Sequence, residues 1–549
     1  MSGAEAPGVP AEKNAVNESR GVAAVSFDLF QFILNVRPDL RDIHRFDLGA
    51  RRHLYLGWML QAGFKEYRAL AEHLDQIREL IRSLPPNSFG LSALQYLTWL
   101  QRPDVQMAFP LPEKRQQFLI WFYANGLREH FLWDVMTPEE QAPITALPQA
   151  ERDQFMSMVR RIDSGLSPCS LADNPVFGVN VIGYAYGQLG IGEDGRMAAR
   201  ALLAADIPMV MVDFPPGDDI PKNDFSMASH VVDEAKHYVN LFCMTAEENG
   251  RFYAERGKAT FTDHYNIGYW PWELSRWPQN WEMLLELVDE VWVSTRHIYD
   301  ALKPVCHKPL FVMPMAVELG AVREFANRQA ARRYFGLAES ARLFCFAFDL
   351  GSYVDRKNPQ ACVDAFLEAF PKDRFSSTEV GLVIKVHKPR KRSRAWERLK
   401  RLAREDDRIQ IIESTLPRSD LLALYAACDC FISLHRAEGF GRGMAEALQL
   451  GLHVICTGYS GNVDFCQSPD ADWVNYRLVS VRRRQYPHAD GQVWAEPDIS
   501  HAASLMRRFV DHPPERKAPR EWPRFSAVEV GMRYRKRLLE IWQETRQLF

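Results

Sequence analysis

From Val176 onward the chain alternates short apolar runs with amphipathic segments, and the alternation restarts once. That rhythm limits the fold more than any other feature. A strand-length apolar run followed by a helix returns most readily to the same sheet as a parallel strand. In the first series Val176–Ile182, Pro208–Asp213, Tyr238–Met244, Tyr265–Tyr269, Val288–Ser294 and Pro309–Met315 read as strands, with a helix over Glu193–Ala205. In the second, Arg342–Leu350, Val380–Val386, Arg408–Ile412, Cys430–Leu434 and His453–Thr457 read as strands. Helices over Pro359–Phe370, Arg394–Arg404, Arg418–Ala427 and Gly441–Leu450 connect them. Two doubly wound α/β domains are predicted, over residues 176–325 and 326–512, with ligands in a cleft outside the carboxyl ends of the strands. A helix from Ser526 to Leu548 fills most of the last segment, 513–549.

The region ahead of these domains has a different texture. Residues 1–20 read as a disordered tail. Residues 21–165 read as all-helical, with Leu, Phe, Trp and Tyr recurring at three- and four-residue intervals. The helical region contains a two-copy repeat. Arg37-Pro38-Asp39 returns as Arg102-Pro103-Asp104, and Arg52, Leu56, Trp58, Gly63 and Glu66 return 63 positions later as Arg115, Leu119, Trp121, Gly126 and Glu129. Two such units packed together bury faces that neither buries alone. The polar passage Asp163–Pro175 reads as a linker.

Charge and composition narrow the function. A net charge of −3 gives no general case for nucleic-acid binding. Nine scattered cysteines, whose only close pair is Cys428-Asp-Cys430, read as buried reduced thiols and point to a cytoplasmic protein. The first residues lack the apolar core of a signal peptide, and no apolar run is long enough to span a bilayer.

The chemistry concentrates in Arg436-Ala-Glu438-Gly439-Phe440-Gly441-Arg442-Gly443-Met444-Ala-Glu446. A strand, a glycine-rich bend and a helix start aim free backbone N–H groups at one point, where an anion is favoured. Carboxylates beside such a point accept hydrogen bonds from neutral hydroxyls. The combination indicates a sugar-nucleotide site.

The stretch EGFGRGMAEALQLGLHVICTGYSGNVDF resembles the Glu-x7-Glu signature of glycosyltransferase family 4, a retaining family with the GT-B fold. DLGSYVDRKNPQACVDAFLEAF is similar to that family's first strand–loop–helix of the donor domain, and SRWPQNWEMLLELVDEVWVSTRHIYDAL with MPMAVEL to its acceptor domain. FSAVEVGMRYRKRLLEIW resembles its returning C-terminal helix. The likeness spans about residues 176–549 and is nearest to bacterial members that build surface polysaccharides.

The resemblance implies two Rossmann-like domains facing a cleft, and a donor and an acceptor as partners. The donor would be a nucleoside diphosphate sugar, serving as co-substrate with no further cofactor. The acceptor would be a glycan or lipid-linked glycan, with peripheral contact at the inner face of a membrane left open. Glu446 would bind the donor ribose and Glu438 the transferred sugar. Gly439, Phe440 and Gly441 would present backbone groups to sugar and diphosphate. Arg356 and Lys357 would neutralise the departing diphosphate. Many family members carry Arg where this chain has Ser352, and Arg356 is expected to replace that charge.

Further candidates follow from position. Gly187, Gly190 and Gly192 form a GxxGxG loop after a strand, expected to face the cleft. Ser460, Gly461 and Asn462 are expected to close the nucleotide pocket, and His435 to lie near phosphates or sugar. Glu273, among Tyr269, Trp270 and Trp272, suits an acceptor sugar. Asp470-Ala-Asp472 has the letters of a metal-binding DxD motif but sits in a polar loop, and no metal is expected. The basic run His387–Arg394 could touch anionic headgroups. The rival reading is a catalytically silent subunit docked by its helical repeat onto a polysaccharide assembly complex.

Overall fold

In the computed structural model, residues 27–43, 52–162, 175–217, 220–387, 394–467 and 469–546 are described. The tail 1–20, most of the linker and basic-run residues 388–393 lie outside them. The first sheet contains β1 (Val179–Gly183), β2 (Met209–Asp213), β3 (Val231–Val232), β4 (Val239–Cys243), β5 (Tyr265–Tyr269), β6 (Glu290–Val293) and β7 (Leu310–Val312). The second contains β8 (Arg342–Asp349), β9 (Val380–His387), β10 (Ile409–Glu413), β11 (Cys430–Ser433), β12 (His453–Thr457) and β13 (Ala471–Val474). Their orders are β3-β2-β1-β4-β5-β6-β7 and β10-β9-β8-β11-β12-β13, all neighbours parallel. In each sheet the order reverses beside the first strand, so crevices open at the carboxyl ends of β1/β4 and β8/β11. This is a GT-B architecture of two Rossmann-like domains behind an all-helical region.

The inner strands, such as β1, β4, β9 and β11, are buried on both faces, hence their nearly continuous apolar sequences, while β3, β7, β10 and β13 are partly open. The exceptions are satisfied within the sheet. Asn180, Asn240 and Asn266 stand in register on β1, β4 and β5 and bond in series at 2.9 Å and 2.9 Å. A one-residue slip would orphan these buried amides.

Three features differ from the sequence expectation. Asp470-Ala-Asp472 borders and enters an edge strand rather than a polar loop, and its carboxylates pair with cations. Asp470 binds Lys517 and Arg520, and Asp472 binds His453 and Arg508. Among the described residues no cluster of His, Cys, Asp and Glu is arranged to hold a metal. Residues 476–497 contain an antiparallel hairpin, β14 (Tyr476–Ser480) with β15 (Val493–Pro497), which the α/β rhythm did not reveal. The two-residue strand β3 was also unanticipated.

The helical region is duplicated in structure. Helices Arg52–Trp58 and Arg115–Trp121 each run into one π-helical turn, Met59–Gly63 and Phe122–Gly126. Arg37 binds Asp39 and Glu66 and covers Trp58, while Arg102 binds Asp104 and Glu129 and covers Trp121. This region shares one core with Trp270, Trp277 and Trp281 of the first α/β domain. Glu72 ties the two parts by accepting from the Lys258 N–H at 2.7 Å. The last helix, Ala527–Arg546, returns to pack on helix Gly190–Ala204. Arg537 there binds the fully buried Glu290 at 2.7 Å. No helix of the described residues is long and apolar enough to cross a membrane.

Candidate active site

A cleft of about 580 Å³ separates the two sheets and is walled by both domains. Its floor is the glycine bend after β11. Gly441 has φ 99° and opens helix Arg442–Gln449, a conformation that suits a residue without Cβ. A Cβ on Gly439 would lie 2.7 Å from the Trp272 carbonyl oxygen, so only glycine lets the bend lie against the first domain. Thr295 of that domain donates to the Gly439 carbonyl at 2.7 Å.

Glu438 is the electrostatic centre. Its Oε1 lies 2.5 Å from Lys357 Nζ and its Oε2 3.1 Å from Arg356 Nη1. Burial raises the pKa of this carboxyl, but Lys357, Arg356 and His435 outweigh burial and bring it down to about 2. Burial also lowers Lys357, with Glu438 opposing, so the lysine sits below its ordinary value. Arg356 is raised: burial works against its charge, and Glu438, Glu273 and Tyr486 more than offset it. Arg356 also donates to the Ala437 carbonyl at 3.0 Å. Both cations belong to a four-residue helix, Val354–Lys357, which Asn358 ends in a left-handed conformation before Pro359 opens the next helix.

The remaining sequence candidates fall into two groups. Gly190, Glu273, Gly439, Phe440 and Gly441 reach the cleft wall with Glu438, Arg356 and Lys357. The Phe440 ring points into the core, against Phe465 and Phe525, leaving its backbone to face the cleft. Gly187 and Gly192 lie off the wall, and Gly190 and Gly192 belong to the first turn of helix Gly190–Ala204 rather than to the loop expected from the sequence. Ser460, Gly461 and Asn462 stand behind the bend rather than closing the pocket. Ser460 Oγ accepts from the Glu438 N–H at 2.9 Å, and the Gly461 N–H donates to the Glu438 carbonyl at 2.9 Å. His435 is fully buried and spends its ring on Ser433 and Asn462, which corrects the expectation that it reaches phosphate or sugar. Glu446 is buried and is not among the residues of the cleft wall, and its Oε1 accepts from Arg418 at 2.9 Å.

Several residues of the site escaped the sequence reading. Arg442 crosses between domains to bind Asp194 of helix Gly190–Ala204. Arg418 bridges Glu446 and Glu193. Glu247 follows β4, and Tyr486 and His488 hang from the new hairpin. Their partners are far away in sequence, so only position after a β-strand, as for Glu247, could have flagged one of them.

With this geometry in hand, comparison with known proteins adds one match in sequence. Residues 350–480 match the family model described as glycosyl transferases group 1. That segment holds the cation loop, the glycine bend and Glu446. No relative was found among curated proteins. Among solved structures, a sucrose-phosphate synthase from Thermosynechococcus elongatus aligns over 68% of this chain and 99% of its own, at 14% identity and a TM-score of 0.46. Anabaena HepE, solved with UDP and glucose, aligns over 66% and 99% at 11% identity and a TM-score of 0.47. WaaG, a glycosyltransferase involved in lipopolysaccharide biosynthesis, aligns over 65% and 94% at 14% identity and a TM-score of 0.39.

Proposed function

We propose that this protein is a retaining glycosyltransferase of family 4 type. It moves a hexose-type sugar from a nucleoside diphosphate donor to a glycan or lipid-linked glycan, in polysaccharide biosynthesis. The observation that carries the reading is the convergence of Glu438, Arg356 and Lys357 on the glycine bend at the cleft floor. A diphosphate placed there meets two cations and the free N–H groups of a helix start. The group 1 match over residues 350–480 covers the same elements and supports the assignment.

In this reading Arg356 and Lys357 stabilise the charge that grows on the leaving diphosphate as the glycosidic bond breaks. Glu438 contacts the transferred sugar. Glu446 keeps its second oxygen for the ribose hydroxyls while Arg418 holds the first. The departing diphosphate takes the proton of the acceptor hydroxyl, so the chain contributes positioning and electrostatics and no dedicated base. Arg356 supplies the charge absent at Ser352.

Thermal shift with GDP, UDP, ADP and dTDP identifies the base. Lys357→Ala and Glu446→Ala should each abolish donor hydrolysis and transfer with circular dichroism unchanged. Near-normal turnover in both variants would sink the assignment.

A further inference from the structure

One end of the cleft is unlike the cationic floor. Tyr353 sits there with φ 63° and ψ 105°, a backbone conformation rare for an aromatic residue and costly by about 1–3 kcal/mol. The residue is nevertheless 43% exposed, with its ring centroid 4.8 Å from that of Tyr486. The strain has a structural consequence: the Tyr353 carbonyl accepts from the N–H groups of Arg356 at 3.0 Å and Lys357 at 3.1 Å. The turn that presents the ring therefore also sets the two cations.

Around Tyr353 stand two carboxylates from the first domain. Glu273 accepts from the Tyr486 hydroxyl at 2.6 Å, and its other oxygen lies 3.7 Å from Arg356. Glu247 accepts from the Trp281 indole N–H at 3.1 Å and lies 3.9 Å from His488. Burial raises the Glu247 pKa, only partly countered by the Trp281 hydrogen bond. Burial lowers that of His488. Arg356 is shared between Glu438 and Glu273, Lys357 is held by Glu438 and Arg442 by Asp194, so the carboxylates Glu247, Glu273 and Glu438 outnumber the two cations beside them. This end therefore offers hydrogen-bond acceptors, an exposed aromatic face and a negative local charge. Two of its walls, Tyr486 and His488, come from the β14–β15 hairpin that spans the domains.

We infer that Tyr353, Tyr486, Glu247 and Glu273 form the acceptor subsite, and that it takes an uncharged, hydroxyl-rich pyranose and rejects an acidic one. The inference rests on the transfer reading above for the word acceptor. The sugar's apolar face buries against Tyr353, and its hydroxyls donate to the two carboxylates. A uronate or sugar phosphate would bring a like charge against Glu247 and Glu273 and lose affinity.

The test uses the full chain and its tryptophan fluorescence, because Trp281 and Trp272 border the subsite. Methyl glycosides of glucose, galactose and mannose are titrated, with methyl glucuronide as the acidic match of the glucoside. At least one neutral glycoside should give a saturable change, and the glucuronide should bind about tenfold or more weaker than the glucoside. Tyr353→Gly removes the ring and tolerates the positive φ, so the fold survives, and neutral affinity should fall about tenfold. Tyr353→Phe should bind as the wild type does. No saturable neutral glycoside, a glucuronide equal to or tighter than the glucoside, or an unchanged Tyr353→Gly each overturns the inference. Calorimetry with nucleoside diphosphates on the same samples separates the two claims. Nucleotide binding without glycoside binding defeats the subsite alone, whereas glycoside binding without any nucleotide affinity defeats the transfer reading and leaves a sugar site.

Discussion

Lys357 holds Glu438 through a 2.5 Å contact between ammonium and carboxylate, and Arg356 takes the second oxygen. Two cations suited to a diphosphate are thus paired with a protein carboxylate. A donor diphosphate must share them with Glu438 or displace it. Glu438→Gln removes the competing charge and should bind UDP or GDP about tenfold more tightly by calorimetry. Transfer should fall by about a hundredfold or more, because in the proposed function Glu438 is the group that contacts the sugar. Weaker nucleotide binding in Glu438→Gln would mean that the carboxylate organises the cations instead of competing for them.

The same pair sets an acid limb. Glu438 is lowered from an ordinary 4.5 to about 2 in the folded protein. A carboxyl with a depressed folded pKa stabilises the fold above its unfolded value and loses that contribution as pH falls through the folded one. Burial of Lys357 offsets part of the gain. Wild type should therefore be more stable than Glu438→Gln at pH 7. The gap in thermal midpoint should shrink as pH falls from 4.5 toward 2. A gap constant over that range would place the stabilisation elsewhere.

Much of this arrangement is legible in the sequence because it is local. Parallel strands buried on both faces leave continuous apolar runs, and β5, β12 and helix Arg418–Ala427 have the bounds the sequence predicts. The glycine bend is legible too, since Gly439 and Gly441 answer to one close approach and one positive φ. What stayed hidden depends on partners far apart. The Arg442–Asp194 pair joins residues 248 positions apart, and Tyr486–Glu273 joins residues 213 apart. His435 misled for the same reason. Its place at a strand's carboxyl end suggested a ligand, but Asn462, folded behind the bend, takes its ring. The hairpin was missed because the exposed residues of Tyr476–Ser480 lack an apolar alternation.

The interdomain pair makes its own prediction. Asp194 meets Arg442 across the cleft, with both side chains mostly buried. Asp194→Ala leaves a buried guanidinium without its bonded anion, with Glu193 and Glu446 as the remaining carboxylates acting on it, and should cost about 3 kcal/mol in urea unfolding. Replacing both partners, as Asp194→Leu with Arg442→Met, should cost less than the single change, because no unpaired charge remains. A double variant worse than Asp194→Ala would show that Glu193 and Glu446 depend on the Arg442 charge.

The two glycines that open helix Gly190–Ala204 separate by the space around them. A Cβ on Gly192 would lie 2.5 Å from the Gly187 carbonyl oxygen and 3.0 Å from that of Tyr184, whereas one on Gly190 meets nothing within 4 Å. Gly192→Ala must therefore move backbone and should lower stability by about 1–3 kcal/mol. Gly190→Ala should stay within about 0.5 kcal/mol. Chemical denaturation distinguishes them. A damaging Gly190→Ala with unchanged stability but weaker nucleotide binding would assign the open space to ligand.

The last helix tests how the ends of the chain are tied. It crosses helix Gly190–Ala204 so closely that a Cβ on Gly531 would lie 2.0 Å from the Ala201 carbonyl oxygen and 3.0 Å from Ala205 Cβ. Backbone, not a flexible side-chain tip, blocks that position. Gly531→Ala must push the helix outward, loosening the buried Val530, Tyr534 and Leu538 and the 3.1 Å bond from the Tyr534 hydroxyl to the Pro314 carbonyl. The cost should be about 3 kcal/mol. Val528 on the same turn is 55% exposed, so Val528→Ala should change stability by less than about 0.5 kcal/mol. Because the helix follows the second domain in sequence but packs on the first, loosening it should also let the cleft walls shift. Gly531→Ala should then raise the donor KM at temperatures where the protein is still folded. Equal stability of the two variants in urea would show that the helices part without loss, and that the closing contact contributes nothing to the fold.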